Sequence, residues 1–231
     1  YIDDVLIFSS TAEEHAQHLE LVLQRMEENK LCTRLSKCEF FKTELDYLGY
    51  HISQNQLSVL PSRVSAIKDF EPPTSWSDLR SFIGLANTIH RFVSKHAELL
   101  APLTDLLRGA TIAKGQMKPF TWNKSNQEDF ERVKDQLSHP ETLSLFDPQR
   151  PVHLYTDWSE RAIGSYVAQP DDNGVNQPIA YASRKCNPAE SKYHPTLNRS
   201  IDPALTHPIL SSTKPNLSRE VHTLLLADQG L

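Results

Sequence analysis

Three strand-like segments in the second half of the chain constrain its fold more than any other sequence feature. The segments VHLYTDWS, AIGSYVAQ and PIAYASR are rich in β-branched and aromatic residues, as β-strands are. The last two are separated by PDDNGVNQ, whose Asp, Asn and Gly residues are typical of a turn. This order predicts an antiparallel three-stranded meander.

Prolines, capping residues and apolar stripes predict a run of helices before the meander. Pro61 suits a first helical turn, and Pro72–Pro73 ends that element. Ser75 resembles an N-cap, and residues 102–109 read as a further short helix. The helix after Ser75 has a clean apolar stripe, formed by Leu79, Phe82, Ile83, Ala86 and Ile89. These patterns therefore predict a small all-helical unit over residues 61–109.

Two further elements are predicted between the helical unit and the meander. The segment FTW at 120–122 is strand-like, and Ser125 with Glu128 forms a pattern that opens a helix. One face of that helix carries Phe130, Val133 and Leu137. Beyond Thr196 the helical periodicity of apolar residues decays. Pro203 and Pro208 would each cost a helix interior about 3 kcal/mol, so no helix is predicted there.

The first 60 residues mix strand and helix signals. The opening YIDDVLIF predicts a strand, a tight turn that carries two aspartates, and a second strand. Ser10 with a glutamate three residues later is a capping-box pattern, and residues 11–29 read as an amphipathic helix. The segments TRLSKCEFF and ELDYLGYHIS then alternate loosely, which indicates strands or a hairpin.

Composition excludes several classes of protein. The net charge of −5 is incompatible with a generalised basic surface, so any nucleic-acid binding must be local. Apolar runs stay well short of the roughly 20 residues that cross a bilayer, and the first residues do not read as a signal peptide, so neither a membrane protein nor a secreted one is expected. Three cysteines without a CxxC pair fit reduced thiols in the cytosol or nucleus better than disulfides.

The adjacent carboxylates Asp3 and Asp4 are the first candidate site. Phosphoryl transfer with two divalent ions needs such groups, because carboxylate oxygens hold Mg²⁺ while the ions clamp the attacking and leaving oxygens. The alternative is that two aspartates decorate a surface turn. The Tyr-x-Asp-Asp context followed by an apolar strand resembles the polymerase motif of reverse transcriptases.

The resemblance extends through a series of ordered blocks. It includes EEHAQHLELVLQRMEENKLCTRLSKCEFF, YLGYHIS, LRSFIGLANTIHRF, APLTDLLRG, FTWN and YTDWSERAIGSYVAQ. In order and spacing these blocks are similar to the polymerase-to-RNase H region of gypsy-type LTR retrotransposon Pol polyproteins, over about residues 1–196.

The resemblance implies an α+β chain divided into five parts. Residues 1–60 match the end of the reverse transcriptase palm, with a β-hairpin and an amphipathic helix, and 61–110 match a small helical thumb. Residues 111–150 are a connector with a strand and a helix, and 151–196 are the first part of an RNase H-like domain built on the meander. Residues 197–231 are an irregular, off-pattern tail.

In the palm, the resemblance assigns Asp3 as a metal ligand and catalytic residue, with Asp4 as its support. Lys37 matches a lysine-bearing loop near the leaving pyrophosphate; the alternative is a solvated surface lysine. The hairpin that grips the primer matches Tyr47, Leu48, Gly49 and Tyr50. Taken alone, YLGY would be an ordinary strand with a bulge.

In the thumb and the RNase H-like part, the resemblance implies further contacts. Five thumb cations are candidates for contacts to nucleic-acid phosphates, although each could also be a solvated side chain: Arg63, Lys68, Arg80, Arg91 and Lys95. Asp157 matches the first carboxylate of the RNase H site, as a catalytic residue and metal ligand. Trp158 stands where the family usually has a small residue and is expected to crowd that site. Mg²⁺ is the implied cofactor at both sites.

The family also leads us to expect parts that these residues do not supply. A further palm aspartate is expected upstream of the YIDD turn, and Arg199 stands where the second RNase H glutamate is expected. Glu190 comes too early to replace it. We therefore expect a truncated Pol fragment that is related to RNA-directed DNA polymerase, a nucleotidyltransferase, and to RNA–DNA hybrid ribonuclease, an endonuclease, but is inactive alone. Mg²⁺ binding is expected to be weak, because Mg²⁺ requires several fixed ligands.

The expected partners are an RNA/DNA primer-template or hybrid and the remainder of the Pol polyprotein, in the cytoplasm, the nucleus or a virus-like particle. The alternatives are a non-catalytic nucleic-acid-binding or protein-interaction remnant, and an unfolded product. A zinc site formed by His15, His18, Cys32 and Cys38 is disfavoured by their spacing.

Overall fold

The structure is a computed structural model that describes residues 4–53, 55–110, 118–159, 161–187 and 190. Asp3, Arg199 and the predicted tail at 197–231 lie outside the described residues. Within the described part the fold is α+β, as predicted, and both sheets are antiparallel. None of the described helices combines the length and the apolar character needed to span a bilayer.

The N-terminal segment contains helix α1, Ala12–Glu28. Its N-cap is Thr11, whose hydroxyl accepts the Glu14 backbone N–H at 3.2 Å, so the prediction of a cap at Ser10 was one residue early. The predicted strand after Asp4 was wrong: residues 4–9 form no strand, and they have no ladder partner among the described residues. Backbone of this kind needs a neighbouring strand to pair its donors and acceptors.

The first sheet contains β1 (Glu44–Tyr47), β2 (Tyr50–Ser53), β3 (Gln56–Val59) and β4 (Leu143–Ser144) in that order. The predicted hairpin in ELDYLGYHIS is confirmed, with Tyr47 opposite Tyr50. The strand predicted in TRLSKCEFF was wrong. That segment holds a short 3-10 helix at Leu35–Lys37, and the positive φ of 54° at Phe41 interrupts an extended backbone.

The helical unit contains α2 (Pro61–Lys68), α3 (Trp76–Asn87), α4 (His96–Leu99) and α5 (Ala101–Gly109), with a 3-10 helix at His90–Phe92. The predicted cap is confirmed, because the Ser75 hydroxyl accepts the backbone N–H of Asp78 at 3.1 Å. The predicted stripe is buried, since all five of its residues are at most 9% exposed. Helix α3 thus provides one wall of the core.

Helix α6, Lys124–Leu137, follows the helical unit, and its predicted apolar face is buried. Its N-cap is Asn123, two residues before the predicted Ser125. The strand predicted at FTW was wrong: residues 120–122 form no strand, and Phe120 and Trp122 stack on each other with ring centres 5.8 Å apart. The Trp122 indole N–H also donates to the Gln127 side-chain oxygen, which holds this segment against α6.

The predicted meander is confirmed as a second sheet of β5 (His153–Trp158), β6 (Ala162–Pro170) and β7 (Asn176–Lys185). One apolar core joins this sheet to the rest of the fold. Its members come from β3, α2, α3, α6, β4 and β7, and include Leu57, Ile67, Phe82, Phe130, Leu143 and Tyr181. The Tyr181 hydroxyl donates to the Glu141 carboxylate next to β4.

Candidate nucleic-acid interface and carboxylate sites

The turn between β1 and β2 brings the first described aspartate next to the predicted primer-grip residues. Tyr47 donates its hydroxyl to the backbone carbonyl of Asp4 at 3.2 Å. The turn residues Leu48 and Gly49 both have positive φ, 51° and 84°, which is the two-residue geometry that matches the twist of a hairpin. YLGY therefore forms a tight turn instead of a strand with a bulge. The structure describes Asp4 as exposed, while Asp3 lies outside the described residues.

Arg63 of α2 lies beneath this turn. Its Nη2 donates to the Leu48 carbonyl at 3.2 Å, and its guanidinium carbon is 5.2 Å from the centre of the Tyr50 ring. A β-carbon on Gly49 would lie 2.0 Å from Arg63 Nη2, so any other residue here would have to displace the Arg63 guanidinium in addition to adopting a positive φ. The sequence suggested a phosphate contact for Arg63; its contact with the turn could not be read from local spacing.

The remaining predicted cations are spread over the surface and the core. Lys37 ends the 3-10 helix after α1 and is exposed. Lys68 at the end of α2 and Arg80 on α3 are also exposed. Arg91 is only 8% exposed, with its guanidinium carbon 6.0 Å from the Phe92 ring centre, so most of its surface is withdrawn from any ligand in solution.

The fifth predicted thumb cation, Lys95, contacts the predicted RNase H carboxylate. Its ammonium nitrogen is 2.6 Å from Asp157 Oδ2, although the two residues were assigned to different sites. Lys95 adopts a left-handed backbone, φ 52°, immediately before α4, and the Asp157 Oδ1 accepts the Trp158 backbone N–H at 2.9 Å. The hydrogen bond from Lys95 lowers the pKa of Asp157, and the same contact raises the pKa of Lys95.

Asp157 faces the helical unit from near the end of β5, an edge strand of the second sheet. It lies opposite Gly164 on β6, which in turn lies opposite Ser183 on β7. A small pocket at this point is lined by seven residues: Lys95, Glu98, Asp157, Ser159, Ala162, Gly164 and Ser183. The Lys95 side chain lies close to Gly164, since a β-carbon there would be 3.8 Å from Lys95 Cγ, an ordinary van der Waals contact.

Two more polar contacts connect the helical unit to the same sheet, and neither was expected from the sequence. The Ala97 backbone N–H donates to the Ser183 hydroxyl at 2.8 Å. The Lys185 ammonium donates to Asp105 and to the Thr104 hydroxyl at the start of α5. Ser183 and Lys185 are two residues apart on β7, so they point to the same face of the sheet as Asp157.

Trp158 does not crowd Asp157, contrary to the prediction. Successive residues of a strand point to opposite faces, and Trp158 packs with Ile163, Ala182 and Cys186 on the other face. Glu190 is bound elsewhere too, since Arg184 donates from both Nη atoms to its two oxygens at 2.7 Å.

The described residues around Asp157 do not fit a metal centre. Within the described ranges, no group of three or more His, Cys, Asp or Glu side chains is placed to hold a metal ion. The carboxylate of Asp157 is already hydrogen-bonded to an ammonium, and a divalent ion requires several fixed oxygen ligands.

Comparison with known families gives two matches along the chain. The sequence profile of the family described as "Reverse transcriptase (RNA-dependent DNA polymerase)" matches residues 1–52. The profile described as "RNase H-like domain found in reverse transcriptase" matches residues 122–201, a range that also includes α6 and β4.

Individual relatives agree with the family matches. The retrovirus-related Pol polyprotein from transposon opus of Drosophila melanogaster is 36% identical over 197 residues, which cover 84% of this chain and 20% of the polyprotein. The transposon Tf2-3 polyprotein of Schizosaccharomyces pombe is 30% identical over 193 residues, covering 84% of this chain and 14% of the polyprotein. The chain therefore spans a fifth or less of either relative.

A solved structure shares the fold. The foamy viral protease-reverse transcriptase in complex with an RNA/DNA hybrid has a TM-score of 0.70 and 25% sequence identity, over 87% of this chain and 27% of the viral chain. Because the polymerase match precedes the RNase H-like match along this chain, and the relatives are transposon polyproteins, the chain corresponds to the reverse transcriptase/RNase H region of a transposon Pol polyprotein.

Proposed function

We propose that this chain is the duplex-holding part of a gypsy-type Pol polyprotein, which positions a primer-template or an RNA–DNA hybrid behind the polymerase site. The observation that carries the proposal is the contact between the Tyr47 hydroxyl and the Asp4 carbonyl. It sets Asp4 against a two-residue hairpin, the arrangement that a primer terminus beside a metal site requires.

The proposed chemistry at this end is attack of a primer 3′-hydroxyl on the α-phosphate of a nucleotide. Asp3 and Asp4 would supply carboxylate oxygens to Mg²⁺, which neutralises charge on the transferred phosphate when bound. Tyr47, Leu48, Gly49 and Tyr50 would hold the primer end, and Arg63 would keep their turn in shape. The exposed Lys37 would lie near the pyrophosphate.

The proposed division is palm end at 1–60, thumb at 61–110, connector at 111–150 and RNase H-like part at 151–196. The second and third parts share one apolar core with β3 and β7, which supports a duplex path along a single surface. Lys68 and Arg80 are the exposed thumb cations that would contact phosphates along it.

The remainder of the Pol polyprotein is the proposed protein partner. None of the residues of α1, all of which the structure describes, is buried. Large apolar side chains are exposed on both sides of it, with Val5 at 63%, Leu31 at 60% and Leu35 at 75%. We propose that these exposed apolar side chains pack against the remainder of the polyprotein. The cysteines, all within the described residues, are free thiols, which supports a cytoplasmic or nuclear location.

A second candidate function is a non-catalytic nucleic-acid-binding remnant. The pairing of Asp157 with Lys95 favours it, because the described residues leave no cluster of carboxylates for hybrid cleavage. Both candidates bind a duplex, and they differ in whether metal-dependent chemistry follows.

Hybrid binding and primer extension test the two candidates on the full chain. We expect an RNA–DNA hybrid to bind with an affinity that falls steeply as salt is raised, because neutralised phosphates release counterions. Failure to bind a hybrid at low salt would refute the proposed function. Primer extension with Mg²⁺ or Mn²⁺ that is lost in Asp3→Asn would assign chemistry to the chain, and binding without extension would assign the remnant.

A further inference from the structure

One face of the second sheet is occupied by the helical unit. Three contacts define this interface, and they come from consecutive positions of that face: Lys95 with Asp157, the Ala97 N–H with Ser183, and Asp105 with Lys185. Two of the three contacts are ion pairs. The helical unit supplies the cation of one pair, Lys95, and the sheet supplies the cation of the other, Lys185.

This arrangement specifies one register between the helical unit and the sheet. Sliding the sheet one way would bring Lys185 towards Lys95, and sliding it the other way would bring Asp157 towards Asp105, so either shift would create a like-charge pair. The Ser183 hydroxyl between them accepts a backbone N–H, which fixes the start of α4 as well as its side chains. The interface thus combines this order of charges with the apolar contacts that Tyr181 of β7 makes in the shared core.

The position of Lys95 is specified by the backbone. It adopts a left-handed conformation at the N-cap of α4, and its side chain passes close to Gly164 of β6. The Lys95 ammonium nitrogen lies 2.6 Å from Asp157 Oδ2. It therefore supplies this carboxylate with a positive charge and a hydrogen bond, in the place of the positive charge of a metal ion. A divalent ion at Asp157 would have to compete with Lys95, and Glu98 is the other described carboxylate that lines this pocket.

We propose that Asp157 is a docking residue, which joins the helical unit to the RNase H-like sheet through Lys95, and that this ion pair replaces metal binding at that position in this chain. The inference goes beyond the proposed function, because it concerns how two parts of the chain are held together whether or not a duplex is bound. Asp157 thus has a structural role at the position of a family catalytic carboxylate.

Zero-length carbodiimide crosslinking of the full chain tests the proposal directly. The reagent joins an ammonium and a carboxylate only when they are in contact, and mass spectrometry of the digest identifies the joined peptides. We expect a Lys95–Asp157 crosslink that is absent in Lys95→Met. Lys185–Asp105 serves as a second pair of the interface, and Lys124–Glu128, an exposed pair within α6, serves as the reference for general reactivity.

The decisive comparison is between millimolar Mg²⁺ and NaCl of matched ionic strength. We expect the Lys95–Asp157 yield, relative to the Lys124–Glu128 yield, to stay within about twofold in both salts, because screening acts equally on exposed pairs. A loss that is specific to Mg²⁺ would overturn the proposal by showing that the ion displaces Lys95. Absence of the crosslink while Lys124–Glu128 reacts would overturn it as well. Both results are independent of hybrid binding.

Discussion

Arg63 Nη2 occupies the space in which a β-carbon on Gly49 would stand, 2.0 Å away. The turn at the proposed primer grip and the first helix of the thumb are therefore fitted to each other through one glycine and one guanidinium. Gly49 is constrained twice, by φ and by this close approach, whereas Gly174 in the β6–β7 turn has a similar φ of 78° and no atom within 4 Å of its would-be β-carbon. The chain thus contains a matched control for the first prediction.

Gly49→Ala is expected to destabilise the protein more than Gly174→Ala. Both substitutions place a side chain on backbone of left-handed φ, which costs about 1–2 kcal/mol of folding free energy. Gly49→Ala must also displace Arg63, which loses its hydrogen bond to Leu48, worth about 1 kcal/mol more. Urea denaturation measures the difference. In an Arg63→Met background the two alanine substitutions should cost the same, and a persistent excess at Gly49 would show that Arg63 is not what fills the space.

Local patterns in the sequence predicted the elements whose signals lie within a few residues. The stripe on α3 and the three strands of the second sheet could be found in this way, because each repeats at the period of its own helix or strand. Helix α6 was found by the same means, but its cap was misplaced by two residues, since Asn123 and Ser125 are both able to cap.

The contacts that define the sites could not be found, because they join distant parts of the chain. The two-residue strand β4 exists only as the partner of β3, with Leu57 opposite Leu143. The Ala97–Ser183 hydrogen bond joins residues 86 positions apart. Asp157 was expected at a metal site because it matches a carboxylate position of the family. Its pairing with Lys95 depends instead on how the helical unit lies on the sheet, which a match of residue types does not describe. Periodicity carries no information on such packing.

The contribution of the Lys95–Asp157 pair to stability is expected to disappear in acid. Its hydrogen bond lowers the pKa of the Asp157 carboxyl below the ordinary value of 3.8. A depressed carboxyl pKa stabilises the fold above the unfolded-state value and loses that effect as pH falls through the folded-state value. A double-mutant cycle with Lys95→Met and Asp157→Asn should give a coupling of about 0.2–1 kcal/mol at neutral pH, in keeping with an exposed pair.

Urea denaturation of the four proteins of this cycle, at neutral pH and again below pH 3.8, measures the coupling. We expect a smaller coupling in acid. An equal coupling at both pH values would mean that the two side chains interact through packing and not through charge. The exposed Lys124–Glu128 pair provides a parallel cycle within one helix.

His96 is expected to make stability depend on pH in a higher window. It is 5% exposed, and its Nε2 is 3.1 Å from the Ala86 carbonyl, which a neutral ring satisfies as a donor. Burial is the main cause that lowers its pKa from 6.5 to about 4; the hydrogen bond to Ala86 opposes this shift, and the nearby His90 adds to it. The unfolded chain therefore binds the proton first, so stability should fall by up to about 1.4 kcal/mol per pH unit as pH drops from 6.5 towards 4.

The matched variants for this prediction are His96→Gln, whose amide can donate to the same carbonyl, and His90→Gln on the half-buried neighbour. Chemical denaturation between these two pH values should show a shallower dependence for His96→Gln than for the parent chain. His90→Gln should keep most of the slope. An unchanged slope in His96→Gln would assign the pH dependence to another group.

The exposed thumb cations are expected to set the salt dependence of duplex binding. Removing Lys68 or Arg80 should weaken binding of an RNA–DNA hybrid about equally for different sequences, because phosphate contacts carry no base information. Each lost contact should also reduce the slope of log affinity against log salt by about 0.7–1. Fluorescence anisotropy at several salt concentrations measures both quantities. The control is Lys124→Ala, which removes an exposed lysine from α6 and should leave the slope unchanged. If the substitutions at Lys68 and Lys124 reduced the slope equally, the duplex would be bound by general charge instead of by a surface of the thumb.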